Sequence, residues 1–265
     1  MYQDSNLLIS QSRRKCMSEV IRKSVALLTT IVPTEDKEEW SATEVSRQLD
    51  IPIQTVHRLL SSLAEYGFVF QNNETKKFRL GFTLMHLGFL IRDNLSIRNS
   101  ALPTMEKLMK KTGESVYLTV PEGTEGVIVD CLNKNVLSKE NEIGMRTPLC
   151  VGASNKAILS HLSADIKQQI IQKLIEQGEI RDVKNLENEL KLIAKWKIAN
   201  SFGEIFKGTV TIAAPIFSWE GRVVASISIV FSETNFKDHQ SKYLMNEVKK
   251  AAGVISEELG WLKSS

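Results

Sequence analysis

Only three cysteines occur in the 265 residues, Cys16, Cys131 and Cys150, and none has CxxC spacing. This argues against a disulfide framework and a cysteine-ligated zinc finger, and it predicts buried free thiols. The four histidines, His57, His86, His161 and His239, are scattered without HExxH or HxH spacing, and no GxSxG, GxxxxGK[ST] or GxGxxG stretch is present. An enzyme needs a nucleophile with a base and an orienting group, or a metal constellation, so no catalytic residue, no metal site and no cofactor is expected. No apolar run approaches the roughly 18 residues of a membrane span, and Met1 to Lys15 lacks the apolar core of a signal peptide, so the expectation is a cytoplasmic protein with no membrane partner. With six prolines, 42% hydrophobic and 25% charged residues, the chain has material for ordinary cores and no bias towards disorder. Its length favours two domains over one.

The net charge of +3 is too small to imply a nucleic-acid partner, but its distribution is uneven. From Arg47 to Arg92, six basic residues (Arg47, Arg58, Lys76, Lys77, Arg79, Arg92) face three acidic ones (Asp50, Glu65, Glu74). Val20, Ser24, Leu27, Leu28 and Ile31 follow helical spacing up to Pro33, which predicts a helix over Ser18–Val32. Ser41-Ala42-Thr43 supplies capping hydroxyls for a two-turn helix with Val45 and Leu49 inward. After a turn at Asp50-Ile51, Pro52 opens a helix to Tyr66 that buries Val56, Leu59, Leu60 and Leu63. Its outward face carries Gln54, Thr55, His57, Arg58, Ser61 and Ser62. Beyond Gly67, the strand Phe68–Phe70, the turn Gln71–Glu74 and the strand Thr75–Leu80 form a hairpin.

Two short helices, a polar-faced third helix and a basic hairpin predict a winged helix-turn-helix that binds double-stranded DNA with the third helix in the major groove. Arg58 can bond guanine bidentately and Gln54 adenine, while Thr43, Thr55, His57 and Ser61 suit bases or phosphates. Lys76, Lys77 and Arg79 suit the flanking phosphates. Winged helices also serve as protein- or RNA-binding modules, and that alternative predicts weak DNA association indifferent to sequence.

Phe82 to Arg92 follows Gly81 and is apolar on more than one side of a helix, so it predicts a self-association surface in a homodimer or a dimer of dimers. A helix over Ser96–Thr112 is expected, then strands at Ser115–Val120 and Val127–Leu132, helices from Ser154 to about Ala199, strands at Thr209–Phe217 and Arg222–Phe231, and a last helix over Lys237–Gly260. These predict an α+β domain with helices on an antiparallel sheet. The expected division is a tail over 1–17, a winged helix-turn-helix over 18–81, a linker and dimerisation helix over 82–95, and a ligand domain over 96–265. Thr209, Thr211, Ser226 and Ser228 place small hydroxyls in apolar strands. A helix starting at Ala153-Ser154 aims free N–H groups at a carboxylate or phosphate, and together these can line a small polar pocket.

Several segments resemble the IclR family of bacterial transcription regulators, over nearly the whole chain from about Glu19. Pro52-Ile-Gln-Thr-Val-His-Arg-Leu-Leu60 looks like the family's recognition helix, and Phe78-Arg-Leu-Gly81 like the junction of wing and linker. Gly144–Leu149, Ala153-Ser-Asn-Lys-Ala157, Gly208–Pro215 and Val224–Ile229 are similar to its effector-domain segments. The resemblance implies a GAF-like effector-binding domain, a dimer or dimer of dimers, and a small metabolite, an organic acid or aromatic catabolite, bound over the sheet. Its pocket segments match at Ala153, Ser154, Ser201, Thr209, Thr211 and Ser228. Asn155 stands where the family commonly has glycine before the lysine, and Ser201-Phe-Gly-Glu204 is less acidic than usual.

Overall fold

A computed structural model describes residues 18–34, 36–133, 142–235 and 238–261. The expected tail, including Cys16, lies outside them. The chain forms two compact units, Met1–Arg92 and Asp93–Ser265, so the apolar helix after the wing falls with the first.

The first unit contains α1 (Glu19–Thr30), α2 (Ala42–Leu49), α3 (Ile53–Glu65), β1 (Val69–Gln71), β2 (Phe78–Leu80) and α4 (Phe82–Asp93). Leu27, Ile31, Val45, Ile51, Val56, Leu59, Leu60, Val69 and Phe78 form its core. Val20, the first residue of the expected α1 stripe, is instead 51% exposed, because only the end of α1 reaches the core. Ser41 caps α2 with a full capping box: its hydroxyl accepts from Glu44 N–H while the Glu44 carboxylate accepts from Ser41 N–H. Asp50 then takes a left-handed conformation at φ 52°, which turns the chain into α3. Pro52 is the residue that flanks α3 rather than its first, and its carbonyl accepts from Thr55 and Val56.

The wing is an antiparallel pair with Phe70 opposite Arg79, and Trp40 adds a bridge to Phe78 in both directions, N–H to C=O. The first strand has the expected length shifted by one residue, and the second is shorter than expected because Asn72 organises the turn, accepting from Glu74 and Thr75 N–H. Gly81 ends the wing where nothing larger fits, since a Cβ there would collide with the carbonyl of Gly67. No residue of α4 is buried. Phe82, Met85, Leu87, Phe89, Leu90 and Ile91 are all exposed.

The second unit opens with α5 (Ser96–Thr112), β3 (Ser115–Glu122), β4 (Glu125–Leu132), β5 (Arg146–Pro148) and α6 (Ala153–His161). It continues with α7 (Ala164–Glu176), α8 (Val183–Trp196), β6 (Ala199–Phe202), β7 (Thr209–Phe217), β8 (Val223–Ser232) and α9 (Asp238–Glu258). The sheet is antiparallel with order β5-β4-β3-β8-β7-β6. Strand alternation sends Val116, Leu118, Val210, Ile212, Ile227 and Ile229 to one face, where α5 and α9 cover them. The opposite face carries Tyr117, Thr119, Thr211, Ala213, Ser226 and Ser228 beneath α6, with α8 packed beyond it. Every residue of α6 from Ala153 to Ser160 is buried, as a helix between two layers must be.

Candidate DNA-binding and effector sites

On the first unit, α3 exposes Gln54, His57 and Arg58, with Thr55 and Ser61 half-buried beside them, and Thr43 is exposed on the first turn of α2. Lys76 and Lys77 are exposed in the wing turn, where Lys76 adopts φ +57°. Among the described residues no carboxylate lies within ion-pair distance of Arg58, Lys76 or Lys77. Three expected DNA ligands, Arg79, His57 and Ser61, have intramolecular side-chain partners. Arg79 is half-buried, its guanidinium 4.4 Å from the centre of the Phe70 ring and 5.4 Å from that of Phe82. His57 packs edge-on to Phe78 at 6.0 Å, with Nδ1 3.4 Å from the Ser61 hydroxyl.

The sequence reading missed Glu39. Its carboxylate accepts from Asn72 Nδ2 at 3.1 Å and Thr75 Oγ1 at 3.0 Å, which fixes the wing turn beneath the two lysines. These hydrogen bonds hold the Glu39 carboxyl below its ordinary pKa.

On the second unit, the start of α6 lies over β6 to β8. Ser154 Oγ donates to Ser228 Oγ at 2.9 Å. Ser201 Oγ accepts from Ala153 N–H at 3.0 Å, and Glu204 Oε2 accepts from Gly152 N–H at 2.9 Å. Lys156 Nζ bonds Glu204 Oε1 at 2.9 Å and Glu189 Oε1 at 3.0 Å. Burial acts to lower the Lys156 pKa, but the two carboxylates outweigh it and hold the ammonium above its ordinary value.

Beside this cluster is a cavity of about 20 Å³, bordered by Tyr117, Thr119, Ile128, Thr147, Ser154, Asn155, Ile205, Phe206, Thr211, Ser228 and Val230. Three expected pocket residues, Ser154, Thr211 and Ser228, converge there. Ala153 and Ser201 sit at the adjoining helix start, bonded to each other. Thr209 does not border the cavity, because its hydroxyl donates to the Phe206 carbonyl at 2.7 Å. Ser226 is fully buried on the same face, and among the described residues its hydroxyl has no partner.

Tyr117, Thr119, Ile205 and Phe206 were not legible as pocket residues, since sheet register and a loop bring them in. Asn155 Nδ2 donates to Thr147 Oγ1 at 2.7 Å, Pro148 O at 3.1 Å and Val151 O at 2.8 Å, which fixes the amide's orientation. Among the described residues no donor reaches its buried Oδ1.

A second cleft of about 190 Å³ lies between Lys156, Cys150 and the segment Glu179–Glu189. Burial pushes the Cys150 thiol pKa up, while Cys131 is half-buried. Among the described residues no group of three His, Cys, Asp or Glu is placed to hold a metal ion, and no helix is long and apolar enough to cross a membrane.

A winged helix-turn-helix followed by a sheet domain with a small hydroxyl-bearing cavity under a buried helix is the build of a one-component transcription regulator. The chain belongs to the IclR family of bacterial transcriptional regulators: the IclR helix-turn-helix domain matches residues 22–73 and the IclR C-terminal domain residues 90–257. It is 32% identical over 249 residues to the HTH-type transcriptional regulator KipR of Bacillus subtilis strain 168, covering 92% of this chain and 98% of that one. It is 27% identical to the HTH-type transcriptional repressor AllR of Escherichia coli K12, over 83% of each chain. The crystal structure of Thermotoga maritima IclR superposes with a TM-score of 0.73 at 25% identity, over 91% of this chain and 98% of that one. An IclR homolog of Microbacterium hydrocarbonoxydans, complexed with 4-hydroxybenzoate, shares the fold with a TM-score of 0.72 at 24% identity, over the same shares of each chain.

Proposed function

We propose that this regulator reads an operator through α3 and the wing, self-associates through α4, and changes its operator affinity when a small organic acid enters the cavity beneath α6. The observation that carries the reading is the pairing of an unneutralised basic face on α3 and the wing with a small cavity at a buried helix start, into which the hydroxyls of Ser154, Thr211 and Ser228 converge. Arg58 and Gln54 contact base edges, while Thr43, Thr55, Ser61, Lys76 and Lys77 contact the backbone or neighbouring bases. His57 orients the wing against α3 through its contact with Phe78, and Arg79 orients the wing against α4 through its contacts with Phe70 and Phe82. Exposed apolar surface along α4 supports a homodimer, which matches two half-sites and multiplies a weak single contact. The chain works in the cytoplasm by binding, not by catalysis. Effector binding shifts dimer or tetramer geometry, and it does so only through unequal affinity for the two states.

Selection from a random duplex pool by the full chain tests this reading, with an enriched two-fold symmetric site as the expected result. No enrichment at low salt would move the first unit to the protein- or RNA-binding alternative.

A further inference from the structure

The cavity over the sheet is closed by a segment of the same chain. Residues 203–208 form a loop without regular structure, whose Gly203 and Gly208 sit at φ +61° and +70°. Gly203 N–H donates to Thr209 C=O at 2.8 Å and closes its neck. Within the loop, Glu204 bonds the Gly152 N–H and Lys156, and Ile205 packs onto Gly152 so tightly that a Cβ there would collide with it. Phe206 lies with its ring 6.0 Å from Tyr117 and forms part of the cavity wall. The remaining 20 Å³ has room for about one water.

We propose that Glu204 is a built-in stand-in for the effector's carboxylate. Binding is then an exchange: the incoming carboxylate takes the Gly152 N–H and the Lys156 ammonium, and Glu204 leaves together with Ile205 and Phe206. The inference rests on the effector role proposed for this cavity.

Four observations point to exchange rather than addition. The free volume admits no organic molecule until Ile205 and Phe206 move, and Glu204 is their immediate chain neighbour. Both Glu204 oxygens already make the charge-assisted bonds that a ligand carboxylate would seek at a helix start. Lys156 is only 8% exposed and already faces two carboxylates, so a third would add uncompensated charge, whereas exchange leaves the charge unchanged. The Glu204 side chain is 32% exposed, so water can receive it as it leaves.

Asn155 borders the cavity but offers the ligand no free group: its Oδ1 is packed against the α-carbon of Gly126, and three carbonyls and a hydroxyl hold its Nδ2. The ligand class is therefore a small carboxylate.

The test is titration of the full-length ¹⁵N-labelled chain with sodium acetate, with acetamide as the neutral control at matched ionic strength, following the Gly152 and Ala153 amides. Wild type is compared with Glu204→Gln and Glu204→Ala. With the stand-in weakened or removed, acetate affinity at Gly152 rises by about tenfold or more, because the closed fraction no longer taxes binding, and acetamide moves neither amide. Equal acetate responses in wild type and both variants, no response at Gly152 in the variants, or acetamide acting as well as acetate would each overturn the exchange. Operator affinity measured in the same series reports on the effector role separately: exchange at Gly152 with operator affinity unmoved sinks that role and leaves the exchange standing.

Discussion

Asn155 and Gly126 are interlocked: the buried Oδ1 of Asn155 stands against the α-carbon of Gly126 so closely that a Cβ there would collide with it. Nδ2 is held on the other side by Thr147, Pro148 and Val151, so the amide cannot retreat without losing those bonds. Gly126→Ala is expected to destabilise the second unit by about 1–3 kcal/mol, the usual cost of overpacking. Adding Asn155→Gly should recover much of the loss. Denaturant midpoints of the two single variants and the double variant check the coupling, and strictly additive losses would refute the interlock.

Arg58→Ala is expected to weaken operator binding by about 1–3 kcal/mol and to relax preference at one base position, whereas Lys76→Ala should weaken all sequences alike and reduce the salt slope by about 1. Binding isotherms on operator and scrambled duplexes at several salt concentrations separate the two. Equal losses with equal loss of preference would count against the division between helix and wing.

The start of α2 carries a pH-sensitive contact. The hydrogen bond from Lys37, then those from the backbone and hydroxyl of Ser41, hold Glu44 down to a pKa of about 2, against an ordinary 4.5. Because the folded value is depressed, this stabilisation is full above pH 4.5 and is lost as pH falls towards 2. Unfolding of wild type should therefore show a loss of stability in that window that Glu44→Gln reduces. Ser41→Ala, measured at neutral pH, should cost about 1 kcal/mol.

If α4 is the self-association surface, Phe89→Asp should shift the sedimenting species from dimer towards monomer without changing the far-ultraviolet circular dichroism. Phe89 is 48% exposed in a helix that buries none of its residues, so the change breaks no internal core. A wild-type chain that sediments as a monomer at micromolar concentration would contradict the assignment.

The first unit was legible because its signals are local. Helical spacing of Val56, Leu59 and Leu60, the Ser41 cap and the Gly67 turn are each set within a few residues. The central strands were legible for the same reason, as long apolar runs with Thr and Ser at alternate positions. The edge strands β5 and β6 were not, since three and four residues are too few to carry a period and Pro148 breaks the pattern of one. Of the candidate pocket, Ser154, Thr211 and Ser228 stood out as hydroxyls in buried segments. Tyr117, Phe206 and the Glu204 contact did not, because pairs such as Gly152 and Glu204, 52 positions apart, are neighbours only through the fold.

The most direct test is operator affinity of the full chain, measured against a panel of small carboxylates. The account predicts that at least one acid changes the affinity by about five- to 150-fold, the usual range for coupled sites, and that its neutral amide does not. An operator affinity that no acid in the panel moves, on a site the protein binds specifically, would contradict control through this cavity.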